Sequence, residues 1–517
     1  MILGGCSTLP GRDFPRPSLT PVVIPPNAAL VQPFAAAQQA HPEQSGFRLL
    51  SVGVDGLLLR LELIGAAQSS LDLQYYIFHG DESGRLITEA LAEAASRGVR
   101  VRILVDDAAM RAGDEQLFAL AGHPNVQVRV FNPWRYRGHS GFMRGVEYLF
   151  SGGRLDYRMH NKLFVADGAI ALAGGRNIAD EYFQVDPQLQ FADDDVLATG
   201  PVVKELAATF EEFWNSELAV PAQALLPAKD SGQEAAAKVA QRITTPQFAT
   251  VEASQYQQKL AAGEPLASVL SGATALAWAR VELVCDSPDK GKKVAQGERV
   301  SGLMFPPVEK EIRATKSELT LVTPYLVPTD GEFKLLLERR AAQVNVRILT
   351  SSLENNDSLA AQAGYMHYRV PLLEAGVQLY ELRARPQSRR GTGQSVTLSK
   401  YGNYSLHAKL LVFDRSGLFV GSMNYDQRSR RLNTEDGLII HSTELAEQSL
   451  RRFAAITEPQ NAYAVTLQPE KPGDPPELEW RTVESGQPLT LYQEPARGSW
   501  QKLEVHFLEL LPLDREL

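Results

Sequence analysis

One stretch of this chain is written twice. His160-Asn161-Lys162-Leu163-Phe164-Val165-Ala166-Asp167 recurs as His407-Ala408-Lys409-Leu410-Leu411-Val412-Phe413-Asp414, so that both read His-x-Lys-x4-Asp. Six residues after each Asp a small-residue turn ends in Asn, as Gly174-Gly175-Arg176-Asn177 and Gly421-Ser422-Met423-Asn424, and every matched position is 247 residues from its partner. Agreement at five positions with one offset means that a single supersecondary unit is built twice.

The flanks repeat as well. Leu71 to Tyr76 has strand character, Arg85 to Arg97 places Ile87, Leu91, Ala94 and Ala95 on one helical face, and Val99 to Val105 reads as a strand. In the second half Leu319 to Thr323, Glu332 to Ala342 and Val344 to Leu349 answer them. Strand alternating with helix predicts an α/β fold of mixed sheets covered by helices. The duplication predicts two α/β/α sandwich halves related by a pseudo-twofold axis, with their sheets packed together. The expected division is a tether over 1–45, a first half over 46–220, an irregular linker and active-site rim over 221–306, and a second half with a C-terminal extension over 307–517.

At 517 residues the chain can bury a large core, and no apolar run approaches the length that spans a bilayer. A formal charge of −9 argues against a nucleic-acid partner, which usually demands a basic excess. Arg383, Arg385, Arg389 and Arg390 form a local basic cluster, read as a solvated loop. Two cysteines exclude a disulfide framework and a Cys-rich metal site. Cys285 is expected to be a small buried apolar residue. Leu3-Gly4-Gly5-Cys6-Ser7 resembles the lipobox of bacterial lipoproteins, although the charged and apolar leader that should precede it is missing. The resemblance implies a lipidated Cys6, and the Pro- and Ala-rich stretch from Pro10 to Pro33 is expected to be a semi-extended tether to a membrane surface of the cell envelope, facing the periplasm.

The residue types in the repeat suit phosphodiester chemistry. If each motif lies on a strand, period two sends His and Lys to one face. An ammonium beside an imidazole suits a phosphate, and the Asn closing the turn adds an amide donor. Two copies supply two histidines (His160, His407), two lysines (Lys162, Lys409) and two asparagines (Asn177, Asn424) around one phosphorus. That set offers a nucleophile, an acid for the leaving oxygen and donors for the nonbridging oxygens, without a metal or another cofactor. A carboxylate on the far ring nitrogen would fix each tautomer, and Asp193 and Glu435 are the candidates. Asp167 and Asp414 are expected to cap their turns. No Gly-x-Ser-x-Gly elbow supports a serine hydrolase, and the lysine of each pair stands where zinc would need a ligand.

Paired His-x-Lys-x4-Asp-x6-Gly-(Gly/Ser)-x-Asn motifs resemble the phospholipase D superfamily. Arg158 to Lys162, Gly174 to Phe183, Gly200-Pro201-Val202-Val203 and Leu510-Leu511-Pro512-Leu513 resemble bacterial cardiolipin synthases, especially the C type. The likeness implies a phosphatidyltransferase that forms a phosphatidyl-histidine on His160, with His407 as acid and base, and that makes cardiolipin from phosphatidylglycerol and a second phospholipid. Symmetry leaves the two histidine roles interchangeable. Water as acceptor would instead give phosphatidic acid, and nucleases of the superfamily share the His-Lys pair. Gly175 stands where the second copy has Ser422, so a hydroxyl beside the substrate phosphate is offered on one side only.

Overall fold

The computed structural model describes residues 9–10, 14–15, 28–108, 115–136, 140–151, 153–186, 188–225, 260–261, 263, 265–298, 300, 303–385, 403–468 and 476–509. They fall into two compact units whose limits cut across the sequence repeat. The first comprises Met1–Val185, Asp195–Met304 and the short segment Arg431–Gly437; the second comprises Asp186–Asp194, Phe305–Arg430 and Leu438–Leu517. Each unit therefore contains a few residues from the other half of the chain.

The first unit is a mixed sheet. Strands Ser70–Tyr75, Arg100–Asp106 and Val126–Phe131 run parallel, and the antiparallel hairpin Leu163–Ala166 and Ile170–Gly174 joins them at Ser70–Tyr75. The helix Glu82–Ser96 makes the crossover; it is capped by the Asp81 side chain and buries Ile87, Leu91, Ala94 and Ala95, the predicted face. Because successive strand residues face opposite ways, Leu71, Leu73, Val101 and Ile103 are buried on one side while Asp72 and Arg102 point to the other. There Arg102 Nε donates to Asp72 (2.6 Å), its two Nη atoms donate to Glu211 on the helix Pro201–Trp214 (2.9 and 2.6 Å), and its guanidinium lies over Phe210 and Trp214.

Removing one member of a buried ion network leaves the others charged without a partner. Arg102→Ala is expected to destabilise this unit by about 3–5 kcal/mol, read as a lower urea midpoint. A shift no larger than that of Arg280→Ala, whose side chain is 73% exposed, would refute the assignment.

The second unit repeats the plan. Glu318–Val322, Asn345–Ser351 and Gln378–Leu382 are parallel, and the hairpin Leu410–Phe413 and Gly417–Gly421 pairs antiparallel with Glu318–Val322. Its first crossover helix, Asp330–Ala341, opens with a reciprocal Thr329–Glu332 capping box. A second crossover, Leu359–Glu374, precedes Gln378–Leu382, and three antiparallel strands to Gln487–Leu491 extend the sheet.

Three expectations change. Ala28, Leu30 and Phe34 are buried and Ala35–Ala40 is helical, so any tether ends before Ala28 and not at 45. The region 221–306 is not uniformly irregular: Leu266–Leu270 is a helix and Ala277–Cys285 is a strand paired with Ser45–Leu50, both within the first unit. Arg383 is buried and donates to Thr482 Oγ1 and Val483 O, where an exposed loop was expected. Arg389, Arg390, Cys6 and Leu510 to Leu513 lie outside the described residues. Among the described residues no helix is long and apolar enough to cross a membrane.

Candidate active site

In neither copy do the His and Lys lie within the strand. The strands begin at Leu163 and Leu410, and the motifs occupy the extended segments leading into them. Each segment is held by a backbone bond to a distant piece of chain: His160 N donates to Thr434 O (2.9 Å), and His407 N donates to Ala192 O (2.8 Å). In both cases the next residue along that piece carries a carboxylate.

In the first unit Glu435 Oε2 lies 2.8 Å from His160 Nδ1, and in the second Asp193 Oδ2 lies 2.6 Å from His407 Nδ1. Both carboxylates are fully buried, whereas the imidazoles keep a little exposure. Buried as they are, the carboxylates are each best satisfied by an Nδ1–H donor, which directs Nε2 to any chemistry. The two supports cross the repeat, 275 and 214 residues from their histidines. An aromatic ring flanks each imidazole: Tyr76 at 5.0 Å, near perpendicular, for His160, and Phe191 at 5.1 Å for His407.

Lys162 and Lys409 are buried, and each Nζ turns back to the carbonyl of its own histidine. Lys409 Nζ also lies 2.9 Å from His407 Nδ1. Nδ1 is thus within hydrogen-bond distance of both the Asp193 carboxylate and the Lys409 ammonium, the carboxylate accepting from it when it carries the ring proton.

The turn asparagines differ. Asn177 is committed to the protein, accepting from Ile77 N (3.1 Å) and donating to Tyr182 Oη (2.9 Å). Asn424 Oδ1 is buried with no hydrogen-bond partner among the described residues. Gly175 and Ser422 are both buried within the turns. Asp167 and Asp414 each adopt positive φ, and their carboxylates accept three backbone N–H bonds, from residues 68–70 and 316–318 respectively. They tie the hairpin to the head of the neighbouring strand, a longer reach than the local turn cap expected of them.

The Asn177 turn is clamped to the helix Glu82–Ser96 by reciprocal carboxylates. Asp81 accepts from Gly84 N and Asp180 N, and Asp180 accepts from Ser83 N. Gly84 is required there, since a Cβ would sit 1.7 Å from His79 O. Burial, and then the adjacent Asp180 charge, raise the Asp81 carboxyl from its ordinary 3.8 to about 7. A raised carboxyl stabilises the fold while protonated; the contribution is complete below about 4 and is lost as pH climbs through about 7. The melting temperature of the natural protein should therefore fall relative to Asp81→Asn between those limits. Parallel curves would refute the coupling.

Several supports were not foreseen. Asp286 Oδ2 accepts from Glu435 N (3.0 Å) and from Lys290 Nζ (2.7 Å), its backbone N donates to Glu435 O, and it is buried. Asp106 accepts from Arg158 Nε and Met159 N, bracing the residues just before His160. Cys285 is partly buried and its Sγ lies 3.5 Å from Asn161 Nδ2, so it is more than apolar filler. Among the described residues no three His, Cys, Asp or Glu side chains are grouped to hold a metal.

A family model described as "Cardiolipin synthase, PLD-like domain" matches twice, over residues 61–214 and 308–457. The chain belongs to the cardiolipin synthase branch of the phospholipase D superfamily. It is 35% identical to cardiolipin synthase C of Escherichia coli over 92% of its own length and 96% of the relative's. It is 24% identical to the major cardiolipin synthase of Bacillus subtilis, over 80% of this chain and 68% of that one. Among solved structures, phosphatidylserine synthase of Haemophilus influenzae shares the fold, with a TM-score of 0.54, 14% identity, and coverage of 83% of this chain and 91% of the other. The two family matches bracket the two His-x-Lys motifs.

Proposed function

We propose that this enzyme is a phosphatidyltransferase that makes cardiolipin from phosphatidylglycerol and a second phospholipid, either phosphatidylglycerol or phosphatidylethanolamine. The observation that supports the reading is the matched pair of imidazole–carboxylate contacts, both made through Nδ1, so that in this reading Nε2 of each ring is left for substrate.

In the proposed cycle Nε2 of His160 attacks the phosphorus of phosphatidylglycerol. The P–O bond to the glycerol headgroup breaks, and protonated His407 gives its proton to the departing oxygen. A second phosphatidylglycerol then offers a headgroup hydroxyl. His407, now neutral, takes the hydroxyl proton as the oxygen displaces the histidine, so the P–N bond breaks and cardiolipin forms. With phosphatidylethanolamine as donor, ethanolamine leaves instead. Lys162, Lys409, Asn424, Ser422 and Gly175, with the one Nδ2 hydrogen of Asn177 that Tyr182 does not take, are assigned to the substrate phosphate. No metal is assigned a role. Acylation of Cys6 would hold the enzyme to the cell envelope on its periplasmic side.

The test is incubation with phosphatidylglycerol, with and without phosphatidylethanolamine, followed by mass spectrometry of the lipids. Cardiolipin with release of free headgroup is expected. Phosphatidic acid alone would make the protein a hydrolase, and cleavage of an oligonucleotide without lipid turnover would make it a nuclease.

A further inference from the structure

The helix Gly141–Phe150 in the first unit is amphipathic the wrong way round for a surface helix. Its polar residue Glu147 points inward, buried, and accepts from Arg135 N (2.7 Å) and Tyr136 N (2.8 Å). Phe142 and Leu149, two turns apart on the opposite stripe, are each 79% exposed, and Phe150 beside them is 48% exposed. A helix pinned by a carboxylate while its aromatic and aliphatic side chains face outward is not packed for water.

The surrounding sequence says what covers that stripe. Arg135 is exposed just before the helix and Arg144 lies on it, within a protein of net charge −9, whereas Arg154 is largely buried and turned back to Asn132, Pro133 and Glu147. Arg144 rests against the Trp134 ring (5.7 Å), an amphipathic pair of the kind that sits at a headgroup boundary. The helix ends ten residues before His160, in the same covalent stretch.

We propose that the helix Gly141–Phe150 is an interfacial docking element that inserts Phe142 and Leu149 into an anionic phospholipid surface while Arg135 and Arg144 meet lipid phosphates. The inference rests on the phospholipid-transferase reading and adds the surface from which substrate is taken.

The test uses the full chain with Cys6→Ser in every arm, so that no acyl group contributes, and vesicles of phosphatidylglycerol or of phosphatidylcholine in sedimentation assays. The Cys6→Ser chain should bind phosphatidylglycerol vesicles several-fold more tightly than phosphatidylcholine vesicles. Adding Phe142→Ser with Leu149→Ser should lower the phosphatidylglycerol partition at least about tenfold. In a separate variant, the emission of Leu149→Trp should shift to the blue on adding vesicles, which keeps the test open if the double variant misfolds. Undiminished binding by the double variant, equal binding to both lipids, no binding at all, or an unchanged Leu149→Trp emission would overturn the proposal. So would a change from dimer to monomer with binding unaffected, since a second copy would then cover the stripe. Binding is read without turnover; failure of the transferase reading, seen as no lipid product from active-site-intact protein, leaves this result interpretable.

Discussion

His160→Ala should abolish headgroup exchange on phosphatidylglycerol, lowering kcat by about 10⁵–10⁶, the scale on which loss of an activated nucleophile is felt. His407→Ala should cost about 10²–10⁴, the usual contribution of a positioned acid or base. The two can be told apart with a phosphatidyl ester of a phenol whose leaving group needs no proton. His407→Ala should release that phenol in a rapid first turnover and then stall, because the acceptor lacks its base. His160→Ala should release none. Equal behaviour of the two variants would refute the division of labour, and the reverse pattern would exchange the roles.

Neutralising either supporting carboxylate comes next in size. Glu435→Gln and Asp193→Asn keep the shape of each side chain but offer an amide in place of a pure acceptor. An amide NH2 turned to Nδ1 forces the ring proton onto Nε2, where it blocks attack at His160. The expected loss is about 10³–10⁴ in kcat for Glu435→Gln, by the logic of a mis-set histidine tautomer. At His407 the ring must carry a proton and release it, so loss of the Asp193 charge should lower the rate about 10²–10³ and displace the basic limb of the pH profile downward. Circular dichroism and melting temperature close to the natural protein would confirm that chemistry, and not folding, was removed. A variant with natural kcat would make the corresponding contact merely structural.

The paired α/β halves and both histidines were legible because a repeat at constant spacing exposes local pattern twice. Asp193 and Glu435 could be named as carboxylates of the right kind, but nothing in the sequence said which histidine each would meet. They are 242 residues apart, five short of the motif offset, so the repeat does not align them, and the contacts that place them are backbone bonds to Ala192 and Thr434 that carry no side-chain signature. The same reason hid Asp286, whose purpose depends on Glu435 N. Period-two reasoning placed His160 and Lys162 within a strand; the extended lead-in has the same alternation without the sheet pairing, and a free-standing strand pattern cannot distinguish the two. Nor does a lysine's reach reveal that its ammonium curls back on the preceding histidine carbonyl.

The crossing of Arg431–Gly437 into the first unit and Asp186–Asp194 into the second bears on ancestry. A lone repeat, severed from its twin, would own an imidazole but not the acid that steers it. Any forerunner encoded by half of this gene would have had to work as a couple, two identical polypeptides trading those short arms.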